Sequence, residues 1–231
     1  MFRFNPGSSC CGGGCFTNSG GTEDFDDGLP DDWVFQDSAG GAIATLESGR
    51  IRITWDDPST AVGSDFVNCL LDEVWEGNFE ISVKAKVYEG HIETGGFGAA
   101  YGVRFIFGTP SGLNPRIYFQ LQHDTSAAII GWAYSQNVGA VTSGSQSGVV
   151  SGSASSGDEL EIKVIGANYE ITDIEYIVNG STEHTQELSS PYDVTTGVSE
   201  NDIWVGVGMG LPKDDSYVEF DDVVVTVSHP P

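Results

Sequence analysis

The sequence predicts an all-β protein, a two-sheet antiparallel sandwich, on three observations. Several segments alternate apolar and polar residues with a period of two. Turn dipeptides separate these segments, and Gly accounts for 31 of the 231 residues. No window of about 12 residues carries the 3.6-residue period of a capped helix. About a dozen strands in a chain of this length fit one sandwich better than two domains.

The alternation assigns residues to the core. Three segments, 78–88, 99–108 and 116–123, each place apolar side chains on one face of a strand and mostly polar ones on the other. The predicted inward residues are Phe79, Ile81, Val83, Ala85, Val87, Tyr101, Val103, Phe105, Phe107, Ile117, Phe119 and Leu121. Tyr118, Gln120 and Gln122 are predicted to face outward.

Turns are predicted at Ser48-Gly49, Asn114-Pro115, Ser156-Gly157 and Asn179-Gly180. The last of these lies between two alternating segments. Asn-Gly favours the two-residue turn that joins antiparallel strands, because both of its central residues take a positive φ. We therefore predict a tight hairpin at Asn179-Gly180.

The composition divides the chain into an extended N-terminal arm, residues 1–22, and a sandwich, residues 23–231. The arm is rich in Gly, Ser, Asn and Cys, with Cys10, Cys11 and Cys15 close together. This crowding is typical of a small disulfide knot, a thiolate metal site or a cross-link between chains, and the spacing does not match a zinc finger. We predict a cross-link or tether there and assign no metal to it.

The formal net charge of −25 argues against binding to nucleic acid or to an anionic membrane surface. Solubility in salty surroundings, calcium binding and attraction to a basic partner are three explanations for the acidity. No apolar run is long enough for a membrane span, and the N-terminus does not resemble a Sec signal peptide. The expected location is therefore extracellular or virion-associated. The chain either stays inside the cell until lysis or assembly or leaves by another export route.

Residues at both ends of the predicted sandwich carry a family resemblance. The segment 24–28 followed by Trp33, the strand segments 49–55 and 79–87, and the closing segment 218–223 together resemble the concanavalin A-like (laminin G-like) jelly roll. The resemblance covers about residues 23–228 and implies that the first and last segments lie side by side in one sheet. The Cys-rich arm resembles the starts of environmental phage proteins. Such folds host lectins, adhesion modules, glucanases and virion parts.

The glucanases of this superfamily carry Glu-x-Asp-x-Glu on one strand, with the three carboxylates on one face. Here Glu170, Asp173 and Glu175 come near that pattern. The first spacing is three instead of two, so Glu170 and Asp173 point to opposite faces unless a bulge intervenes. The four histidines are scattered and are interpreted as exposed loop residues. We therefore predict that the protein is not an enzyme.

A calcium site is the first binding hypothesis. Asp24, Asp26 and Asp27 would converge with Asp221 and Asp222 if the two ends pair as the resemblance implies. Hard cations bind clustered carboxylate oxygens, so Ca²⁺ is the expected cofactor, in a structural role. The alternative is that these are turn and edge residues of an acidic protein.

A glycan-binding surface is the second binding hypothesis. Sugars are bound by aromatic faces together with planar polar side chains. The following residues would form such a surface if they share one sheet face: Arg104, Tyr118, Gln120, Gln122 and Trp132. The alternative is an ordinary polar outer face.

These observations favour a non-enzymatic structural or attachment component of a larger assembly, a virion or a cell-surface layer. An extended arm can dock by adding a strand to a neighbouring subunit. A calcium-dependent carbohydrate-binding module is the alternative, and a glycoside hydrolase is less favoured. The expected partners are neighbouring protein subunits, glycans, or both.

Overall fold

The computed structural model describes residues 21–23, 33–37, 42–55, 64–71, 77–91, 100–107, 116–125, 129–138, 141–193, 203–210 and 216–231. Every regular element in these residues is a β-strand, and among them no helix is long and apolar enough to cross a membrane. The strands are β1 (Gly21–Glu23), β2 (Trp33–Asp37), β3 (Ala42–Glu47), β4 (Arg50–Trp55), β5 (Ser64–Leu71), β6 (Asn78–His91), β7 (Ala100–Phe107), β8 (Arg116–Asp124), β9 (Ile129–Val138), β10 (Val141–Ser151), β11 (Asp158–Ala167), β12 (Glu170–Val178), β13 (Ser181–Asp193), β14 (Ile203–Gly210) and β15 (Tyr217–Ser228).

The strands form two antiparallel sheets. The eight-stranded sheet has the order β13-β12-β11-β6-β15-β4-β3, with β1 also paired to β15. The seven-stranded sheet has the order β10-β9-β8-β7-β14-β5-β2. Both sheets contain neighbours that are far apart in sequence, as a jelly roll requires. The predicted fold class, a two-sheet antiparallel jelly-roll sandwich, is confirmed.

The hydrophobic core fills the space between the sheets, and alternation along the strands builds it. In β6 the five predicted inward residues, from Phe79 to Val87, are fully buried. The inward residues of β7 and β8 close the core from the other sheet, with Tyr101, Val103, Phe105, Phe119 and Leu121 all buried. The side chains of Phe107 and Ile117 lie outside the described part of the structure.

The hairpin predicted at Asn179-Gly180 is confirmed. Val178 and Ser181 are paired across a two-residue turn, and both turn residues have positive φ, 51° and 76°. Ser48-Gly49 makes the same kind of turn between β3 and β4, with φ of 56° and 77°. Gly157 has a φ of 94° within the predicted 156–157 turn, and 114–115 lies outside the described residues.

The two ends of the sandwich meet on β15, as the resemblance implied. One edge of β15 pairs with β4 along residues 217–220 and with β1 along 223–225, where Glu23 lies opposite Val223. Between these two pairings a bulge interrupts the register, and Asp222 takes a φ of 49°. A bulge of this kind lets one strand change partners. Residues 21 and 22 belong to β1, while most of the predicted arm, residues 1–20, lies outside the described residues.

The face of the eight-stranded sheet that points away from the core carries most of the basic residues. Five of the nine Lys and Arg residues of the chain form ion pairs there, and we call this surface the charged face. Its cations are Arg50, Arg52, Lys84, Lys86 and Lys163, and their partners are Glu47, Glu80, Glu159, Glu175, Glu219, Asp221 and Asp222. Single exposed pairs contribute little, but together they favour this register, because a one-residue slip would turn them into the core.

We expect Gly180→Ala to lower the free energy of unfolding by about 1 kcal/mol, because a residue with a Cβ is strained at this φ. A Cβ at Gly180 would meet no heavy atom within 4 Å, so strain in the backbone is the cause and crowding is not. Gly152→Ala is the matched control, because it is equally open but has no left-handed φ. It should be neutral or slightly stabilising. Urea denaturation measures both variants, and an equal effect at the two positions would contradict this account.

Candidate functional site

Planar polar side chains lie in the middle of the seven-stranded sheet, on the face that points away from the core. Arg104 on β7 is directly opposite Gln120 on β8, and Gln122 follows two residues later. Both glutamines are partly exposed. They alternate along β8 with the buried Phe119 and Leu121, which fixes them on the outer side of the sheet. We call this surface the open face.

Glycines surround the polar residues of the open face. Gln122 lies between Gly102 on β7 and Gly131 on β9 in the register. On the next strand, β14, Gly206 is opposite Arg104 and Gly208 is opposite Gly102. Gly102, Gly206 and Gly208 are buried, and a Cβ at Gly102 would collide with the backbone of Leu121. Gly131 is partly exposed, so a flat ligand can approach the backbone beside Gln122 from the β9 side.

The structure brings together three of the five residues of the predicted glycan set. Arg104, Gln120 and Gln122 share the open face, but Arg104 is only 7% exposed, so the glutamines present the accessible polar groups. Tyr118 holds the register position opposite Ile106 and Ser135, in the row next to Gln120. Its side chain lies outside the described part of the structure.

Trp132 is not on the open face with the glutamines. It is opposite the buried Leu121, is only 9% exposed and packs across the space between the sheets. Its ring stacks on His184 of β13 at a centroid distance of 4.5 Å, and lies 5.3 Å from the ring of Tyr176. Trp132 of β9 therefore packs against β12 and β13 of the opposite sheet. Its orientation depends on the register of β9, which the sequence did not reveal.

The acidic residues of the predicted calcium site fall into two groups. Asp24, Asp26 and Asp27 lie outside the described residues. Asp221 is 3.3 Å from Arg50, and Asp222 accepts a hydrogen bond of 2.6 Å from Lys86, which raises the pKa of that lysine. These carboxylates thus already have cationic partners. Within the described ranges no group of three or more His, Cys, Asp or Glu could hold a metal ion.

The run from Glu170 to Glu175 contains a bulge, which changes the expectation that Glu170 and Asp173 point to opposite faces. The register of β12 shifts between Ile171 and Asp173 against both of its neighbours, so Thr172 is the extra residue. Because Ile171 and Ile174 are both buried, Glu170, Asp173 and Glu175 all lie on the outer side. This outer side belongs to the charged face of the eight-stranded sheet, where Glu175 lies 3.8 Å from Lys163. The three carboxylates therefore share no face with Gln120 and Gln122.

A polar network that the sequence did not predict joins the two sheets at one end, with Tyr101 and His123 buried, Asp158 partly exposed and Glu89 exposed. His123, at the end of β8, is 1% exposed, so its interpretation as an exposed loop residue is wrong. Its Nδ1 lies 3.2 Å from the Tyr101 hydroxyl, which donates a 2.9 Å hydrogen bond to Glu89. Its Nε2 lies 3.4 Å from Asp158 Oδ2. We call Glu89, Tyr101, His123 and Asp158 the inter-sheet network. The alternation of β8 gave the signal, because His123 shares the parity of Phe119 and Leu121.

Burial shifts the two inner groups of this network away from their charged forms. It raises the pKa of Tyr101, to which the hydrogen bond to Glu89 also contributes, so the phenol stays protonated. Burial lowers the pKa of His123 below its ordinary value of 6.5, against the opposing effect of the Asp158 and Glu89 carboxylates.

Comparison with known proteins shows the fold. The sequence matches no protein-family model and no curated protein sequence. Among solved structures, an endo-acting O-glycanase of the human gut microbiota that initiates mucin breakdown is 14% identical, with a TM-score of 0.54 over 91% of this chain and 98% of that chain. The catalytic domain of a laminarinase from Thermotoga petrophila RKU-1 is 12% identical, with a TM-score of 0.51 over 91% and 97%.

A lectin shares the fold to a similar degree. The winged bean acidic lectin, in complex with methyl-α-D-galactose, is 13% identical, with a TM-score of 0.50 over 92% of this chain and 99% of that chain. At such identities the likeness shows the architecture alone. The chain thus has the jelly roll found in lectins and glycanases, in agreement with its resemblance to the concanavalin A-like superfamily.

We expect Trp132→Ala to lower the free energy of unfolding by about 3–5 kcal/mol, because it removes a large buried ring between the sheets. Gln120→Ala, on the other side of the same sheet, should change it by less than about 1 kcal/mol. Chemical denaturation of both variants distinguishes the two positions. A small effect at Trp132 would mean that its ring lies on the surface.

Proposed function

We propose that the protein is a non-enzymatic carbohydrate-binding protein that holds its ligand on the open face. The observation that carries this proposal is the pair of partly exposed glutamines on a sheet face, with glycines on both sides of Gln122. A primary amide offers one acceptor and two donors in a plane, which matches the paired hydroxyl groups of a sugar ring. The jelly roll of lectins and glycanases supports the proposal at the level of the fold.

The charge of the molecule favours neutral glycans as ligands. A net charge of −25 repels sulfated or uronic-acid chains at a distance. Hydrogen bonds from amides to hydroxyl groups need no charge on the sugar, so neutral hexose units fit both the local and the overall properties of the protein.

Among the described residues of the open face, the three central rows hold no carboxylate, and Asp124 follows Gln122 at the next outward position of β8. A single carboxylate beside these rows favours binding without hydrolysis. Glycoside hydrolysis needs two carboxyl groups on either side of the scissile bond. A register row is the set of residues that lie side by side across neighbouring strands of the sheet. The three rows that contain Tyr118, Gln120 and Gln122 include no Asp or Glu in the described strands. Other residues in these rows are Val34, Gln36, Phe66, Asn68, Leu70, Ile106, Ala133, Ser135, Ser145, Ser147, Val149 and Trp204.

We expect Gln120→Ala and Gln122→Ala each to weaken glycan binding about tenfold, the equivalent of one hydrogen bond of roughly 1–1.5 kcal/mol. A glycan array of neutral oligosaccharides, including β-1,3-glucans and galactosides, identifies the ligand, and titration calorimetry gives its affinity. Thr226→Ala is the control, because Thr226 is exposed on the opposite sheet. An array without any binding, or equal losses in all three variants, would refute the proposal.

We expect Glu175→Gln to leave glycan binding unchanged, because Glu175 lies on the charged face beside Lys163 and away from the glutamines. Reducing-sugar assays on the glycans bound by the array should show no turnover by either protein. A hydrolytic rate in the wild type that this substitution abolishes would make the protein a glycosidase whose site is on the eight-stranded sheet.

Two further hypotheses stay predictions. A structural or attachment role in a virion or cell-surface layer depends on the arm with Cys10, Cys11 and Cys15, which lies outside the described residues. The calcium site depends on Asp24, Asp26 and Asp27, which also lie outside them. Either could accompany glycan binding, because neither hypothesis assigns a role to Gln120 or Gln122.

A further inference from the structure

The inter-sheet network takes one residue from each of four strands. Glu89 on β6 and Asp158 on β11 come from the eight-stranded sheet, and Tyr101 on β7 and His123 on β8 come from the seven-stranded sheet. Two carboxylates thus stand at the ends of the series, with a phenol and an imidazole between them. The rings of Tyr101 and His123 have centroids 5.1 Å apart and are both almost wholly buried.

Counting protons shows that the network is incomplete when His123 is neutral. Its polar atoms make three contacts: Glu89 to Tyr101, Tyr101 to His123, and His123 to Asp158. Each contact between two electron-rich atoms needs one hydrogen to be attractive. The phenol supplies one hydrogen and a neutral imidazole supplies one more, so one contact lacks a hydrogen in either tautomer. Protonated His123 supplies two, and all three contacts are then filled.

Two other groups donate hydrogen bonds to Asp158, the carboxylate that would accept the second N–H of protonated His123. Its Oδ2 accepts a 2.8 Å hydrogen bond from the Ser155 backbone N–H, and its Oδ1 accepts a 2.9 Å hydrogen bond from the Asn179 amide. Each carboxylate oxygen of Asp158 is therefore already a hydrogen-bond acceptor. His123 Nε2 is buried and has no hydrogen-bond partner of good geometry, although Asp158 lies close to it.

We propose that the inter-sheet network is a buried site that takes up one proton on His123 in the folded protein, completing a series of hydrogen bonds between the two sheets. The titratable groups that face His123 are Tyr101 from β7, Glu89 from β6 and Asp158 from β11. The residue opposite it on β9, Ile130, is apolar. The proton therefore lies between the carboxylates of Asp158 and of the exposed residue Glu89.

The sign of the effect on stability follows from burial. Burial lowers the pKa of His123, so the unfolded chain binds the proton at a higher pH than the folded protein does. The contribution of His123 to the free energy of unfolding is greatest above about pH 6.5 and decreases as the pH drops towards the pKa of His123 in the folded state. Below that pKa the contribution decreases no further, because the folded and unfolded states both hold the proton.

Nuclear magnetic resonance of the histidine rings tests the proposal in the full-length protein. His123 should titrate below the ordinary value while the protein is still folded, and at acid pH both of its ring N–H groups should exchange slowly with water. A His123 midpoint at or above about 6.5, the ordinary value, or unfolding before His123 titrates, would overturn the proposal.

Asp158→Asn is the decisive variant, because it keeps the shape of the side chain and removes the charge that faces Nε2. The midpoint of His123 titration should fall by about one pH unit or more, since a nearby opposite charge has an effect of that size. An unchanged midpoint would overturn the proposal. If this variant does not fold, Tyr101→Phe tests the other ring nitrogen. It removes the acceptor of the Nδ1–H, and slow exchange of that proton at acid pH should be lost. Persistence of the protected Nδ1–H in Tyr101→Phe would also overturn the proposal.

Discussion

The apolar layer between the two sheets is the constraint on which the rest of this structure depends. The central strand β6 buries every second residue from Phe79 to Val87 completely, and β7, β8, β11, β12 and β15 do the same from both sides. Because one face of each sheet packs in the core, polar side chains can lie only on the two outer faces and at the ends of the sandwich. The charged face, the open face and the inter-sheet network occupy these three places.

The two outer faces have different chemistry because the basic residues are unevenly distributed. The charged face holds five of the nine Lys and Arg residues of the chain, each within 4 Å of a carboxylate. Arg50 also lies 3.7 Å above the ring of Tyr88, which adds a cation–π contact to its ion pairs. The described central rows of the open face instead contain amides, glycines, serines and apolar residues, with Arg104 as their one cation. One sheet thus uses its outer face for cross-strand ion pairs, while the other has the partly exposed Gln120 and Gln122 on its outer face.

The alternation in the sequence was sufficient to predict the core and one hairpin, because side chains alternate with a period of two within each strand. The alternation was not sufficient where the orientation of a side chain depended on how neighbouring strands pair. Trp132 was placed with the glutamines, although its partner in the register is the inward Leu121. The bulge at Thr172, which brings Glu170 and Asp173 to the same side, also depends on the neighbouring strands. His123 is different, because its parity in β8, shared with Phe119 and Leu121, already indicates burial, although His as a residue type is only intermediate in burial.

Along strand β8, residues that pack in the core alternate with residues that form the outer surface. Phe119, Leu121 and His123 determine how the sheets fit together, and Gln120 and Gln122 between them determine what the outer surface presents. A substitution at either glutamine changes the surface without altering the volume of the core. Selection can therefore change the ligand preference of such a strand in single steps, while the residues that maintain the architecture stay fixed. The same separation explains in physical terms how proteins with very different sequences can keep one scaffold and diverge in what they recognise.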